Sequence, residues 1–365
     1  MLIGIDGNEA NVEKKVGIGE YAFELLKKFE ESKVSNFQFL IYLKDFPRED
    51  LPKAREGWRY RVVGPRKMWT QFALPRDLLL KKPRADIFFT PSHYAPRFSP
   101  IPTAISIMDL SYIYFPQLFK KNDLYQLKSW TKYSAKKASL IFTISNSSKD
   151  DIIKEYKIDP KKVVVTYPGI KDQKFKVKSM ENLPKKYEIN KPYFLFIGTI
   201  QPRKNIAKLI EAFASIKEDV DLVVIGKKGW LFEQILAAPS EFGVEKRVKF
   251  LDFVPNEDLP LFYQNAVCYV LPSLYEGFGL PVLEAMQNNC PVITSNVSSL
   301  PEAGGDAAIY VNPEDVNDIK EKMEKVLRDS NLREEMIKKG QEQVKKFSWE
   351  KTAKETLKAL ETLKS

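Results

Sequence analysis

Residues 275–284 read Tyr-Glu-Gly-Phe-Gly-Leu-Pro-Val-Leu-Glu, and they follow an apolar run at 266–271. The run predicts a buried strand, and Pro281 predicts a helix beginning there, because proline is favoured at the first helical position. Gly277 and Gly279 carry no side chains, so a ligand can approach the backbone closely. The N–H groups at the start of a helix favour an anion. Strand, glycine turn and helix together indicate a cradle for a diphosphate.

Two carboxylates, Glu276 and Glu284, lie eight positions apart in this stretch. One is on the turn and the other is about a helical turn further on, so both can face one ligand at different depths. Carboxylates accept hydrogen bonds from hydroxyl groups, which are abundant on ribose and hexose rings. The alternative is that Glu284 is an ordinary acid near a helix N-terminus and Glu276 a solvated turn residue.

The segment resembles the E-x7-E signature of the retaining, nucleotide-sugar-dependent glycosyltransferases of the GT-B fold, in particular glycosyltransferase family four. The resemblance implies that Glu276 holds hydroxyls of the transferred sugar and that Glu284 binds the ribose. It also implies that the backbone at Gly277 and from Phe278 to Leu280 contacts the donor. The family uses no cofactor and no metal, and no Asp-x-Asp metal motif occurs here in a matching context.

A second loop carries the cations that a diphosphate needs. Gly198 follows a predicted strand, and Arg203 and Lys204 come just before a predicted helix. Cations there would neutralise the diphosphate and stabilise it as a leaving group. The matching Arg-Lys pair of the family contacts the donor diphosphate, and a solvated basic turn is the alternative. Asn205 is predicted to cap the helix that follows.

Gly17 and Gly19 open a helix after a loop of about ten residues, and with Ala22 they match G-x-G-x-x-A. We reject a dinucleotide fingerprint, because its first glycine should directly follow the strand. The resemblance implies instead that this loop reaches the donor phosphates. A flexible loop that only caps its helix is the alternative.

Polar residues near the carboxyl ends of two predicted strands indicate the acceptor side. They are His93, the only histidine in the chain, and Asp109. Many relatives have His-Asp where this chain has Met108-Asp109, so only the aspartate is carried over. His93 is a candidate to replace the missing imidazole, and a packing role is the alternative.

The alternation of short apolar strands with amphipathic helices occurs twice, which predicts an α/β protein with two doubly wound, Rossmann-like parallel-sheet domains. The predicted domains are 1–175 and 192–346, joined by a polar, lysine-rich linker at 176–191. Residues 347–365 predict a terminal helix with Ser348 as its N-cap. The resemblance implies that the domains face across a cleft and that the terminal helix packs on the first domain.

Composition supports two domains, since 365 residues exceed one typical domain. The chain begins with a strand-like run rather than a signal peptide, and no apolar run is long enough to span a bilayer, so we expect a cytoplasmic protein. Cys268 and Cys290 lie in apolar contexts and are predicted core residues.

The net charge of +10 is carried largely by lysines that alternate with acids, which is typical of solvated faces rather than of a nucleic-acid surface. Denser basic patches occur at 66–67 and 81–84, near Trp69 and Phe72. A solvated surface is the favoured interpretation, and peripheral association with an anionic membrane is the alternative.

Together with the resemblance, these observations predict transfer of a mannose- or glucose-type hexose from a nucleoside diphosphate sugar to a hydroxyl of a glycan or lipid-linked saccharide. Retention at the anomeric carbon is what the resemblance implies. The predicted catalytic residues are Glu276, Arg203, Lys204 and Asp109. The competing hypotheses are a sugar-nucleotide epimerase, a phosphorylase, and an inactive binding protein on the same scaffold.

Overall fold

The computed structural model describes residues 1–32, 36–171 and 186–364. The chain forms two compact units, Met1–Gly169 with Phe347–Ser365, and Ile170–Lys346. Most of the predicted linker falls on residues 172–185, which lie outside the described residues, so the linker stays a prediction.

The first unit is built on parallel strands. In chain order they are β1 Leu2–Asp6, β2 Gln38–Leu43, β3 Trp58–Val62, β4 Ile87–Thr90, β5 Thr103–Ser106, β6 Leu140–Thr143 and β7 Val163–Val165. Their order in the sheet is β3-β2-β1-β4-β5-β6-β7. The helices of this unit before residue 169 are Ile18–Glu31, Leu74–Leu80, Ser111–Tyr114, Lys121–Lys137 and Asn146–Tyr156, with a π-helical turn at Trp69–Ala73.

The second unit repeats this plan. Its strands are β8 Tyr193–Ile197, β9 Asp221–Ile225, β10 Val248–Leu251, β11 Cys268–Leu271, β12 Val292–Ser295 and β13 Ala308–Val311, in the order β10-β9-β8-β11-β12-β13. Its helices are Ile206–Ala214, Glu233–Glu241, Leu259–Asn265, Leu280–Gln287, Leu300–Gly304, Val316–Arg328 and Ser330–Val344.

All of the strand pairs in both sheets are parallel. The inner strands are buried along nearly their whole length, because helices cover both faces of each sheet. The prediction of two doubly wound, Rossmann-like units is confirmed. The edge strand Ala308–Val311 was not predicted.

The terminal helix Trp349–Glu361 belongs to the first unit. The Ser348 hydroxyl accepts a hydrogen bond from the backbone N–H of Lys351 at 3.2 Å, so Ser348 is the N-cap, as predicted. The Trp349 ring packs edge-on against Tyr21, with centroids 5.8 Å apart. Leu360 is fully buried in the core cluster of this unit. The apolar face of the helix, to which Leu360 belongs, therefore anchors the helix to this unit.

No helix within the described ranges is both long enough and apolar enough to cross a membrane. Cys268 and Cys290 are both buried, as predicted.

Candidate functional site

The order of strands in the second unit reverses between β8 and β11, which are neighbours in the sheet. Doubly wound sheets bind ligands outside the carboxyl ends of their strands at such a reversal. The loop after β8 carries Gly198, Arg203 and Lys204, and the loop after β11 carries Glu276 to Gly279. Tertiary structure therefore brings the two predicted loops together at the expected edge.

Glu276 accepts hydrogen bonds from both basic side chains of the neighbouring loop. Lys204 Nζ lies 2.5 Å from Glu276 Oε1, and an Arg203 guanidinium N–H lies 3.1 Å from Glu276 Oε2. Arg203 also donates to the backbone carbonyl of Tyr275. Glu276 and Lys204 are buried, with less than a tenth of their surface exposed. A buried ion-pair network thus joins three of the predicted site residues.

The charge state of Glu276 is set by two opposing effects. Burial raises the pKa of its carboxyl, because desolvation penalises the charged form. The charges of Lys204 and Arg203, with hydrogen bonds from Lys204 and Ser273, outweigh burial and lower the pKa to about 2. Glu276 is therefore ionised at neutral pH.

We predict that Glu276 stabilises the fold in a pH-dependent way. Because its folded-state pKa of about 2 lies below the ordinary value of 4.5, the contribution is complete above pH 4.5 and is lost as the pH falls towards 2. A lowering of this size corresponds to ~3 kcal/mol at neutral pH. Urea unfolding of the wild type and of Glu276→Gln at about pH 6 and pH 3 measures the effect. The difference in free energy of unfolding between the two proteins should shrink at the lower pH, and a constant difference would contradict the prediction.

Three serines form hydrogen bonds with Glu276, and none of them was predicted from the sequence. Ser273 Oγ donates to Glu276 Oε1 at 2.7 Å. The hydroxyl of Ser298 accepts from the Glu276 N–H at 3.1 Å, and the hydroxyl of Ser299 donates to the Glu276 carbonyl at 2.8 Å. Ser273, three residues before the glutamate and just after a strand, could have been suspected. Ser298 and Ser299 come from the loop after β12, and no local pattern links them to Glu276.

Gly279 is required by the turn that precedes the helix Leu280–Gln287. Its φ of 106° lies in the left-handed region, which strains residues with a side chain. A Cβ at this position would also lie 2.9 Å from the Leu300 side chain. The helix begins one residue before Pro281, so the predicted start is confirmed within one position. Gly277 and Phe278 are buried in the same turn.

Glu284 lies in this helix and is half-buried. Tyr263 Oη donates to its Oε2 in a long hydrogen bond of 3.4 Å. Burial raises the pKa of the Glu284 carboxyl, and the Tyr263 bond and the charge of Lys171 oppose this only in part. In contrast to Glu276, this carboxylate has no close cation among the hydrogen bonds and ion pairs of the described residues.

The predicted capping role of Asn205 is wrong. Its side chain makes no capping hydrogen bond and donates instead to the backbone carbonyl of Pro313 at 2.6 Å. The backbone is left-handed, with φ 59° and ψ 32°, rather than the extended form usual for an N-cap. Asparagine tolerates this conformation better than most residues. Asn205 thus makes the sharp turn after Lys204.

In the first unit, Gly17 and Gly19 lie at the start of the helix Ile18–Glu31, after a loop that separates them from β1. The rejection of a dinucleotide fingerprint is therefore confirmed. Gly17 has φ 54° and ψ −116°, a conformation that only glycine adopts readily. Gly19 is buried, and a Cβ there would lie 3.0 Å from the Glu9 carbonyl oxygen. Their approach to a donor stays a prediction.

His93 follows β4, next to the reversal of strand order between β1 and β4. Burial lowers the pKa of its imidazole to about 4, although the charge of Asp109 opposes this. The imidazole is therefore neutral at neutral pH. His93 Nε2 is buried and has no hydrogen-bond partner within the described part of the chain. The structure thus places Asp109 close enough to His93 for its charge to affect the pKa of the imidazole.

The Asp109 carboxylate also has a local role. Its Oδ1 accepts from the backbone N–H of Ser111 at 2.8 Å, at the start of the helix Ser111–Tyr114. Met108 is partly buried and packs against the core cluster of the first unit. The thioether side chain of Met108 contributes to the packing of that cluster.

The basic patches at 66–67 and 81–84 are exposed, as are Phe72 and Leu80. Trp69 is buried instead, and its indole N–H donates to the carbonyl of Val63 at 2.9 Å. Trp69 therefore does not belong to the exposed surface near these patches, because its indole fills the core and finds its hydrogen-bond partner there. The described residues contain no group of three or more metal-ligating side chains placed to hold an ion.

Known proteins match the chain over nearly its full length. The family described as Glycosyltransferase Family 4 matches residues 17–174, and that described as Glycosyl transferases group 1 matches residues 179–343. The O-antigen chain mannosyltransferase B of Escherichia coli is 30% identical, covering 95% of this chain and 96% of that protein. The serotype-specific mannosyltransferase WbdA of Escherichia coli is 33% identical over 60% of this chain, which is 28% of that longer protein.

Among solved structures, the HepE protein of Anabaena in complex with UDP-glucose superimposes with a TM-score of 0.75. The match covers 99% of both chains at 16% sequence identity. At this identity the likeness concerns the fold.

Proposed function

This chain belongs to the group 1 glycosyltransferases of family 4, and we propose that it transfers a hexose from a nucleoside diphosphate sugar to a saccharide hydroxyl with retention at the anomeric carbon. The proposal includes no metal and no cofactor. Both Escherichia coli relatives are named as mannosyltransferases, which supports mannose as the first sugar to test, and glucose-type sugars come next. The acceptor is a glycan or a lipid-linked saccharide.

The observation that carries the proposal is the cluster of Arg203, Lys204 and Glu276 at the reversal of strand order. Two cations and one anion sit beside a glycine turn and a helix start, where an incoming diphosphate would meet positive charge. Stability alone does not explain the arrangement, because well-packed apolar side chains of similar volume often stabilise a fold as much as a buried ion pair does.

Donor binding would exchange partners within this cluster. The diphosphate competes with Glu276 for the Arg203 and Lys204 cations, so the carboxylate becomes available to the hydroxyls of the transferred sugar. Both cations then stabilise the diphosphate as negative charge develops on it in the transition state. The backbone at Gly198 and at Gly277 to Leu280 would let the donor approach closely on either side of this cluster. Attack by the acceptor from the face that the diphosphate leaves gives retention.

Glu284→Ala should weaken nucleotide binding by about tenfold, because a hydrogen bond between a ribose hydroxyl and a charged carboxylate contributes roughly 1.5 kcal/mol or more. Isothermal titration with GDP and UDP measures the affinity. Glu302→Ala is a matched control, since Glu302 is also a glutamate on a helix that begins Leu-Pro in the same unit. Unchanged nucleotide affinity in a folded Glu284→Ala protein would remove the ribose assignment.

The function is tested by incubating the protein with GDP-mannose or UDP-glucose, with and without methyl α-D-mannopyranoside, and measuring nucleoside diphosphate release. Acceptor-dependent release supports transfer, and the anomeric coupling constant of the product reports retention. Nucleotide-sugar conversion without acceptor would favour an epimerase, and phosphate-dependent release of sugar phosphate would favour a phosphorylase. Nucleotide binding without any turnover would favour an inactive binding protein.

We also propose peripheral contact with an anionic membrane through the exposed basic patches at 66–67 and 81–84, with the exposed side chains of Phe72 and Leu80 between them in the chain. Apolar side chains flanked by cations support this proposal, since such a surface gains both burial and attraction to anionic lipids. Co-sedimentation with vesicles of anionic and of zwitterionic lipids tests it. Absence of the protein from the pellets of both kinds of vesicle would contradict membrane contact and favour the solvated-surface alternative.

A further inference from the structure

The loop after β12 forms hydrogen bonds with both polar groups of the Glu276 main chain. The Ser298 hydroxyl accepts a hydrogen bond from the Glu276 N–H at 3.1 Å and donates one to the Glu276 carbonyl at 2.5 Å. The Ser299 hydroxyl donates to the same carbonyl at 2.8 Å. Because a carbonyl oxygen has two lone pairs, these two serines satisfy the hydrogen-bonding capacity of the Glu276 main chain.

Ser298 has a backbone conformation that serine seldom adopts. Its φ of 58° lies in the left-handed region, where a Cβ is disfavoured and where glycine and asparagine are more common. Conformations of this kind persist where the surrounding structure holds them, and they cluster at functional sites. The two hydrogen bonds between the Ser298 hydroxyl and Glu276 are contacts that hold this conformation.

Ser299 makes its bond to Glu276 in place of a local one. It stands at the N-cap position of the helix Leu300–Gly304, where a serine side chain usually accepts from an N–H of the first turn. Within the described ranges its side chain makes no capping hydrogen bond, and it donates to the Glu276 carbonyl instead. Ser299 is fully buried. Both serines therefore use their hydroxyls to hold a residue of another loop.

The contacts of the Glu276 main chain differ in kind from those of its side chain. The carboxylate is bonded to Lys204 and Arg203, and a diphosphate would compete for these two cations. The serine hydroxyls are uncharged and contact only the Glu276 main chain in the bonds described above, so a diphosphate would not draw them away. The main chain would thus stay in place while the carboxylate changes partners.

We infer that Ser298 and Ser299 are positioning residues that hold the glycine turn at 277–279 in place for the donor. The inference rests on the proposed function and gives the loop after β12 a part in it. Glycine has more conformational freedom to lose than any other residue, so a turn with two glycines gains from an external anchor. The main chain of Glu276, directly before the turn, is where this anchor is attached.

Ser298→Ala should lower kcat about tenfold, and Ser298→Ala/Ser299→Ala about 100-fold, because a displacement of about 1 Å at a reacting centre can cost that much. The affinity for GDP and UDP should stay near that of the wild type, since neither hydroxyl is assigned a contact with the nucleotide. Single-turnover rates with donor and acceptor, and isothermal titration with each nucleotide, measure the two quantities.

Ser295→Ala is the matched control. Ser295 is the last residue of β12, and its hydroxyl is buried without a hydrogen-bond partner in the described part of the chain. Its removal should leave kcat unchanged. A wild-type kcat in the double serine variant would overturn the inference, and so would an equal loss of kcat in Ser295→Ala.

Ser298→Gly separates the role of the hydroxyl from that of the strained backbone. Glycine tolerates the left-handed conformation but has no hydroxyl. The Ser298→Gly protein should therefore melt at a higher temperature than Ser298→Ala while its kcat stays equally low. Recovery of the wild-type kcat in Ser298→Gly would overturn the inference, because relief of strain would then account for the loss in Ser298→Ala.

Hydrogen exchange followed by mass spectrometry tests the anchor without any substrate. The amides of residues 275–284 should exchange about tenfold faster in the double serine variant than in the wild type, the size expected when a hydrogen bond is lost and the segment opens locally. Exchange in β8 should not change. Equal exchange of residues 275–284 in both proteins would overturn the inference.

These measurements separate the inference from the proposed function. If the wild type turns over a donor and the serine variants match its kcat, the positioning role is wrong and the glycosyltransferase assignment stands. If the wild type turns over no donor, the proposed function fails, and the exchange rates of residues 275–284 alone decide whether the two serines hold the turn.

Discussion

The double variant Arg203→Ala/Lys204→Ala is expected to lose about a thousandfold in turnover. The two cations contact Glu276 at 3.1 and 2.5 Å in the structure, and in the reaction they would face a diphosphate that gains negative charge as its bond to the sugar breaks. Removal of a single preorganised donor to such a charge costs about 10²- to 10³-fold. Because the charge develops in the transition state, kcat should fall more than the affinity for GDP or UDP.

Single-turnover kinetics and nucleotide titration on the same preparation measure these two quantities. A variant in which only KM rises, with kcat near wild type, would show that the cations bind the ground state alone. The matched controls are Lys208→Ala and Lys217→Ala, since both lysines lie in the same unit outside the Glu276 network.

Folding needs its own control in this experiment. Loss of both cations leaves Glu276 buried and unpaired, which costs ~3–5 kcal/mol when a buried pair is broken. Addition of Glu276→Gln removes that unpaired charge and should restore much of the lost stability. Chemical unfolding of the double and triple variants therefore distinguishes a damaged fold from a damaged transition state.

His93→Ala is expected to reduce transfer by about 100-fold without changing nucleotide affinity. The neutral imidazole would accept a hydrogen bond from the acceptor hydroxyl, and a positioned group with this role contributes 10²-fold or more. Initial rates at saturating donor measure the effect. Near-normal transfer by a folded His93→Ala protein would reduce His93 to a packing residue.

Asp109→Asn is the companion to this experiment. The amide oxygen of asparagine can still accept from the Ser111 N–H, so the variant removes the charge and keeps the local cap. Lower transfer with an unchanged melting temperature would assign the charge a role on the acceptor side. Full activity would withdraw Asp109 from the proposed site. Met108→His in the His93→Ala background then asks whether an imidazole beside Asp109 restores transfer.

The sequence by itself determined the fold class, the glycine turn and the N-cap of the terminal helix. Short apolar runs such as residues 193–197 and 222–225 mark strands buried on both faces, and only helix-covered parallel sheets bury strands in this way. The glycine turn at 277–279 and the Ser348 cap are local features, set by backbone conformations and capping preferences that act within a few residues. Such features can be recognised without knowing which strands are neighbours.

Only the tertiary structure decided how these positions work together. Arg203 and Glu276 are 73 residues apart in the chain, and they meet because β8 and β11 are neighbours at the reversal of strand order. Ser298 and Ser299 reach Glu276 from the next strand's loop, and Asn205 turns left-handed to bond a carbonyl 108 residues away. Burial and neighbouring charges then determine the pKa values of Glu276 and His93. Desolvation and long-range contacts depend on strand order and packing, and the local periodicity of the sequence predicts neither of them.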